Sequence, residues 1–67
     1  MNWDQIKANW RPFSGAVRER WDRLTEDDLI RIDGKRDQFT GVLQERYGIA
    51  KEAADKEVDE FAWDMKL

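Results

Sequence analysis

Two groups of carboxylates, Glu26-Asp27-Asp28 and Asp55-Glu57-Asp59-Glu60, are the side chains most able to do chemistry in this chain. Paired carboxylates perform acid–base catalysis when a pocket moves their pKa values apart, and oxygen-rich clusters hold hard cations. Neither use fits the pattern. A chain of 67 residues leaves little room for such a pocket. Asp27, Asp28 and Asp33 do not have the spacing of a calcium-binding loop. Histidine is absent, so the usual proton carrier near neutral pH is missing. Cysteine is absent too, which excludes disulfides and thiolate metal sites. No catalytic, cofactor-binding or metal-binding residue is therefore expected, and an enzyme is not.

What remains for chemistry is recognition. Trp63 breaks the apolar pattern of its own helix, lying outside the arc of Ala54, Phe61 and Met65 and on the side of Leu67. Asp59, Glu60 and Asp64 surround it, which favours an exposed ring. Tryptophan is enriched where protein interfaces carry most of their energy. Four further residues join Trp63 and Leu67 as a candidate partner surface: Arg20, Arg46, Gly15 and Gly41. The plainer expectation is structural for each. Arginine stems lie along apolar surface with the head in water. An interior helix glycine costs roughly 0.5–1 kcal/mol, so a close helix crossing is expected at Gly15 and Gly41.

These residues are positioned by an internal repeat. Phe13–Trp21 reads FSGAVRERW and Phe39–Tyr47 reads FTGVLQERY, 26 residues further on. The same offset carries Trp3 onto Leu29 and Ile6 onto Ile32. Repetition constrains architecture before any local reading does, and here it suggests one helical hairpin used twice. Trp3, Ile6 and Trp10 form the stripe of a first helix, opened by Asn2 as a cap with Gln5 behind it and ended by Pro12. A second helix runs from Pro12 to Asp22, with proline in its first turn. Thr25 followed by three carboxylates starts a third, carrying Leu29, Ile30 and Ile32 and ending at Asp33-Gly34. The fourth, Lys35 to Tyr47, stops at Gly48. The fifth, Ala50 to Met65, turns Ala50, Ala54, Val58, Phe61 and Met65 to one side. No strand candidate, linker or second domain is found, so residues 1–67 read as one all-α domain of four to five short helices.

Charged residues make up 40% of the chain, a level compatible with disorder, but 12% aromatic content argues for a packed core. A small basic excess in residues 1–24 and an acidic excess in residues 49–67 leave a net charge of −3. Lys7, Arg11, Arg18, Arg20, Arg23, Lys35 and Arg36 are interspersed with carboxylates, which makes nucleic-acid binding a poor expectation. The N-terminal MNWDQIKANW has no basic-then-apolar leader, and no apolar run approaches a membrane span. A soluble cytoplasmic protein is expected, with a monomer favoured.

With DQIKANW at 4–10, LTEDDL at 24–29 and GKRDQFTGVLQERYG at 34–48, the chain resembles the CsbD-like family of small bacterial stress-response proteins. The resemblance implies a SAM-like domain of two helical hairpins packed roughly at right angles, with induction under stress. It implies no biochemical activity and carries over no catalytic residue. Where that family commonly has lysine after each repeat glycine, this chain has Ala16 and Val42, which widen the apolar arc. Taken together these readings favour a non-enzymatic stress-response protein acting by binding or protection. A small helical protein-interaction module is the alternative, and a weak nucleic-acid binder the less favoured one.

Overall fold

In the computed structural model, which describes residues 3–65, the chain forms five helices and, among those residues, no strand. They are α1 (Trp3–Ala8), α2 (Trp10–Arg20), α3 (Glu26–Ile32), α4 (Arg36–Tyr47) and α5 (Lys51–Asp64). Among the described residues no helix is long and apolar enough to cross a membrane. The expected Asn2 cap lies outside the described residues.

Helix α1 breaks earlier than Pro12, at Asn9. The physical reason lies in the missing N–H. Pro12 cannot donate to the carbonyl of Ala8, and its ring crowds that carbonyl, so the interruption is felt four residues upstream. The last bond of α1 runs from Asn9 N to Gln5 O at 3.1 Å, and Asn9 stands at the start of α2 with its side chain donating back to Gln5 O rather than capping the new helix. Pro12 sits inside the first turn of α2, where an N–H would have no intrahelical partner.

Helix α3 begins in a reciprocal cap. Thr25 Oγ1 accepts from Asp28 N, and an Asp28 carboxylate oxygen accepts from Thr25 N, each at 3.1 Å. It ends through Asp33 and Gly34, both with positive φ (47° and 74°). Gly34 is also the point of closest backbone approach. A methyl group there would lie 2.8 Å from Lys7 Cα, and Trp3 Nε1 donates to Gly34 O at 2.9 Å. Helix α1 thus lies directly on the α3–α4 turn. The close crossing expected at Gly15 and Gly41 is absent, since a methyl group at either would meet nothing within 4 Å.

The core gathers around Phe39, which is fully buried. The rings of Trp3, Trp10, Trp21 and Phe61 lie 5.2–6.3 Å from it, mostly edge-on. Such tilted pairs add to the burial of large aromatic area. Both partly buried indoles satisfy their N–H groups, Trp3 on Gly34 O and Trp10 on Leu29 O. Phe13, Val17 and Trp21 share this one cluster with Phe39, Leu43 and Tyr47. Ala54, Val58, Phe61 and Met65 also face it as their spacing predicts, joined by Ala62. Two expected core positions do not. Ala50 is an exposed cap residue, and Ile30 is 74% exposed. Leu29 and Ile32 already fill the buried side of so short a helix, and Ile30 is left to turn outward.

Candidate interaction surface

Trp63 stands on the last turn of α5 with Phe61 and Ala62 fully buried beside it. Successive helical residues diverge by 100°, so burying those two turns Trp63 outward, where it is 71% exposed. It lies in a shallow open groove with Asp59, Glu60 and Asp64. Two of these walls are held from other helices. Arg20 on α2 donates to Asp64 at 2.7 Å, with its guanidinium 5.5 Å from the centre of the Trp21 ring. Arg36 on α4 donates to Asp59 and also to Asp55 O at 3.3 Å. The groove is therefore an acidic frame around an exposed indole, and its shape depends on arginines rather than on α5 alone. Leu67, expected beside Trp63, lies outside the described residues.

The two repeat arginines part company. Arg20 belongs to the Trp63 surface, whereas Arg46 reaches α3. Its Nε and Nη2 both donate to the Asp28 carboxylate at 2.9 Å. Asp28 is only 3% exposed and also completes the Thr25 cap. The Arg46 hydrogen bonds, helped by those from Thr25 and working against burial, hold its pKa down at about 2. Asp28 in turn raises the pKa of Arg46. A forked guanidinium on a buried carboxylate is a structural tie between α3 and α4. Gly15 is exposed and Gly41 half-buried, and neither lines the Trp63 groove.

Four carboxylates of the two sequence groups are tied to separate cations. Glu26 meets Arg18 at 3.2 Å, Asp28 is committed to Arg46, and Asp27 is exposed. Asp55 meets Lys51 at 3.4 Å and Asp59 meets Arg36. Among the described residues no three potential ligands are grouped to hold a metal.

Sequence reasoning missed Ile30 as a surface residue. It sits with Trp10, Arg11, Ser14 and Leu29 along an open groove between α2 and α3. The repeat contained the signal, because the offset of 26 residues maps Ile30 onto Asp4, a polar, exposed position. Val42, at the position where lysine was expected from the resemblance, is a core residue with 1% exposure, while Ala16 packs at the core margin.

Comparison with known proteins places this sequence among bacterial relatives. Residues 4–56 match the CsbD-like family. The chain is 59% identical to UPF0337 protein ECA0631 of Pectobacterium atrosepticum, covering 87% of this chain and 84% of that protein. It is 48% identical to UPF0337 protein YjbJ of Escherichia coli K12, covering 94% of this chain and all of that one. It is also 48% identical to UPF0337 protein RPA4217 of Rhodopseudomonas palustris, over 98% of this chain and the whole relative.

Proposed function

This chain belongs to the CsbD-like family, and on that premise we propose that it is a non-enzymatic bacterial stress-response protein. It works in the cytoplasm by binding or shielding another macromolecule, and its contact surface is the Trp63 groove. The stress setting follows the resemblance. The contact rests on one observation: a large indole held 71% exposed by a chain that encloses its other aromatic rings wholly or in part. Commitment of Glu26, Asp28, Asp55 and Asp59 to separate cations supports a binding role over acid–base chemistry. Nucleic acid is disfavoured as the partner, because Arg18, Arg20 and Arg36 spend their charge on Glu26, Asp64 and Asp59.

Capture of partners from stressed and unstressed cells tests this reading, with wild type and Trp63→Ala compared side by side. An exposed ring contributes little to folding, so the variant should keep its helicity and lose no more than about 0.5 kcal/mol of stability. It should also lose the partner that stressed cells supply to the wild type. Equal capture by both proteins would move the contact elsewhere. A loss of several kcal/mol would instead return the ring to the core.

A further inference from the structure

Among the described residues every helix but α1 is tied to another by an ion pair. Charges are at hand, since Asp4 and Lys7 of α1 line an open groove with Lys35, Arg36 and Asp37, yet no pair crosses it. The core also comes mostly from elsewhere, because Ile6 is the only buried hydrophobic residue in α1. Apolar contact holds the helix, with two additions. Trp3 Nε1 donates to Gly34 O at 2.9 Å, and the Arg36 guanidinium stands 5.8 Å from the centre of the Trp3 ring. The junction with α2 is loose. Asn9 has a non-helical backbone (φ −117°, ψ 41°) and makes no side-chain cap, and the next bond, Phe13 N to Asn9 O, is long at 3.4 Å. Trp10, in contrast, is pinned to α3 by its own bond to Leu29 O. Asn9 thus separates a lightly held helix from a firmly held one.

We infer that α1 is a strap, which comes off at Asn9 while α2–α5 stay folded and so uncovers a binding site for a helical segment of another polypeptide. Opening gives up the burial of Ile6 and part of Trp3 but keeps the rest of the core, so it requires less free energy than global unfolding. Once undocked, the six residues of α1 are too few to persist as a helix in water. The site left behind has the chemistry of what now fills it. Gly34 O accepts from an indole N–H, Phe39 loses the Trp3 ring that lies 6.1 Å from it, and the space of Ile6 takes a branched aliphatic side chain three residues on. Gly34 lets the occupant's backbone come close, since a methyl group there would lie 2.8 Å from Lys7 Cα. The ligand is therefore a short helix with an aromatic donor and an aliphatic residue at i and i+3, and α1 is its competitor within the chain.

The strap does not involve the Trp63 groove, so either can fail alone. Trp3 and Trp10 form a matched pair of probes, because each indole N–H is partly buried and donates to a carbonyl at 2.9 Å. In wild type the Trp3 indole N–H should exchange with deuterium at least about tenfold faster than that of Trp10, at a rate that low urea leaves unchanged. Equal rates that rise together in urea overturn the strap. Two variants should hold it open: Gly34→Ala, whose methyl group meets Lys7, and Ile6→Asp, which sets an unpaired charge at a buried position. Each should strip protection from Trp3, leave Trp10 protected and still unfold cooperatively. Gly48→Ala, strained by a φ of 62° but with nothing near its methyl group, should leave Trp3 protected. If both opening variants lose cooperative unfolding, α1 is part of a single folding unit and the strap is overturned. A synthetic peptide of residues 1–9, MNWDQIKAN, added at about 1 mM, should bind the full-length Ile6→Asp chain. Wild type, whose own α1 competes at a high effective concentration, should take up at least about tenfold less. The same peptide carrying Ile6→Asp should not bind. No uptake by the opened chain, or equal uptake by wild type, overturns the site.

Discussion

The two copies of the repeat share a helix start and part of a sequence pattern, and little else. Helices α2 and α4 begin at equivalent residues, Trp10 and Arg36, and both carry their Phe, Gly and Arg at matching positions. Yet α2 packs beside α1, whereas α4 lies between α3 and α5. Phe39 is consequently enclosed by three tryptophans and Phe61, while its counterpart Phe13 only borders the core. The order reverses at the other end of the pattern. Trp21 is buried, and its counterpart Tyr47 is half-exposed, its hydroxyl accepting from Arg23 N at 3.2 Å. Arg20 and Arg46 diverge likewise, one on an exposed carboxylate and the other on a buried one. A repeat transmits local conformation, because that depends on neighbours in sequence. It does not transmit environment, which depends on what happens to be packed opposite.

The sharpest way to break this comparison is to truncate the paired phenylalanines. Phe39→Ala should cost about 3–5 kcal/mol, a large part of what a domain of this size has. Phe13→Ala, at the margin, should cost about 1–2 kcal/mol. Urea unfolding measures both, and equal losses would show that the two copies are energetically equivalent after all.

The arginine partners come next in size. In the folded protein the Asp28 pKa is held at about 2, against an ordinary 3.8 once unfolded. A depressed acid pKa stabilises the fold above the unfolded value and ceases to do so as pH falls through the folded one. The contribution is about 2 kcal/mol at neutral pH. Asp28→Asn should therefore be less stable than wild type by about that much at pH 7, a gap that closes between about pH 4 and pH 2. Asp64→Asn, which removes the exposed partner of Arg20, should cost no more than about 1 kcal/mol. Similar pH profiles for the two variants would erase the distinction between the arginines.

The smallest effect is also the most symmetric. Gly15→Ala and Gly41→Ala both place a methyl group in open space within a helix. Each should raise stability by up to about 1 kcal/mol, through better helix propensity and a less flexible unfolded chain. Thermal midpoints that move in opposite directions would reveal a difference between the copies that the open space around the two glycines does not show.

Most of the fold is legible in the chain because it follows from local rules. Thr25 with Asp28 three residues on, Asp33-Gly34 and Gly48 mark helix ends through groups a few residues apart, and the structure places the ends there. The periodic arcs Val17–Trp21, Phe39–Leu43 and Ala54–Val58–Phe61 likewise point to the core they join. Even the misplaced end of α1 had a local cause, in the carbonyl that Pro12 leaves without a donor. The surface was less legible. Trp63 stood out only because it broke a period, and Ile30 escaped notice because it sat within an apolar run.

What the sequence by itself determined is thus an all-helical chain, most of the helix ends, one shared core and the outward turn of Trp63. The tertiary structure alone decided which glycine is pressed against a neighbour: Gly34 beneath Lys7, and neither Gly15 nor Gly41. It also decided that Asp28 is buried under Arg46, and that the Trp63 groove is framed by Arg20 and Arg36 from two other helices. The reason is the range of the interactions. Caps, turns and amphipathic periods act across a few residues and leave a trace in residue order. A backbone contact between positions 7 and 34, or an ion pair between 20 and 64, exists only once the helices have met.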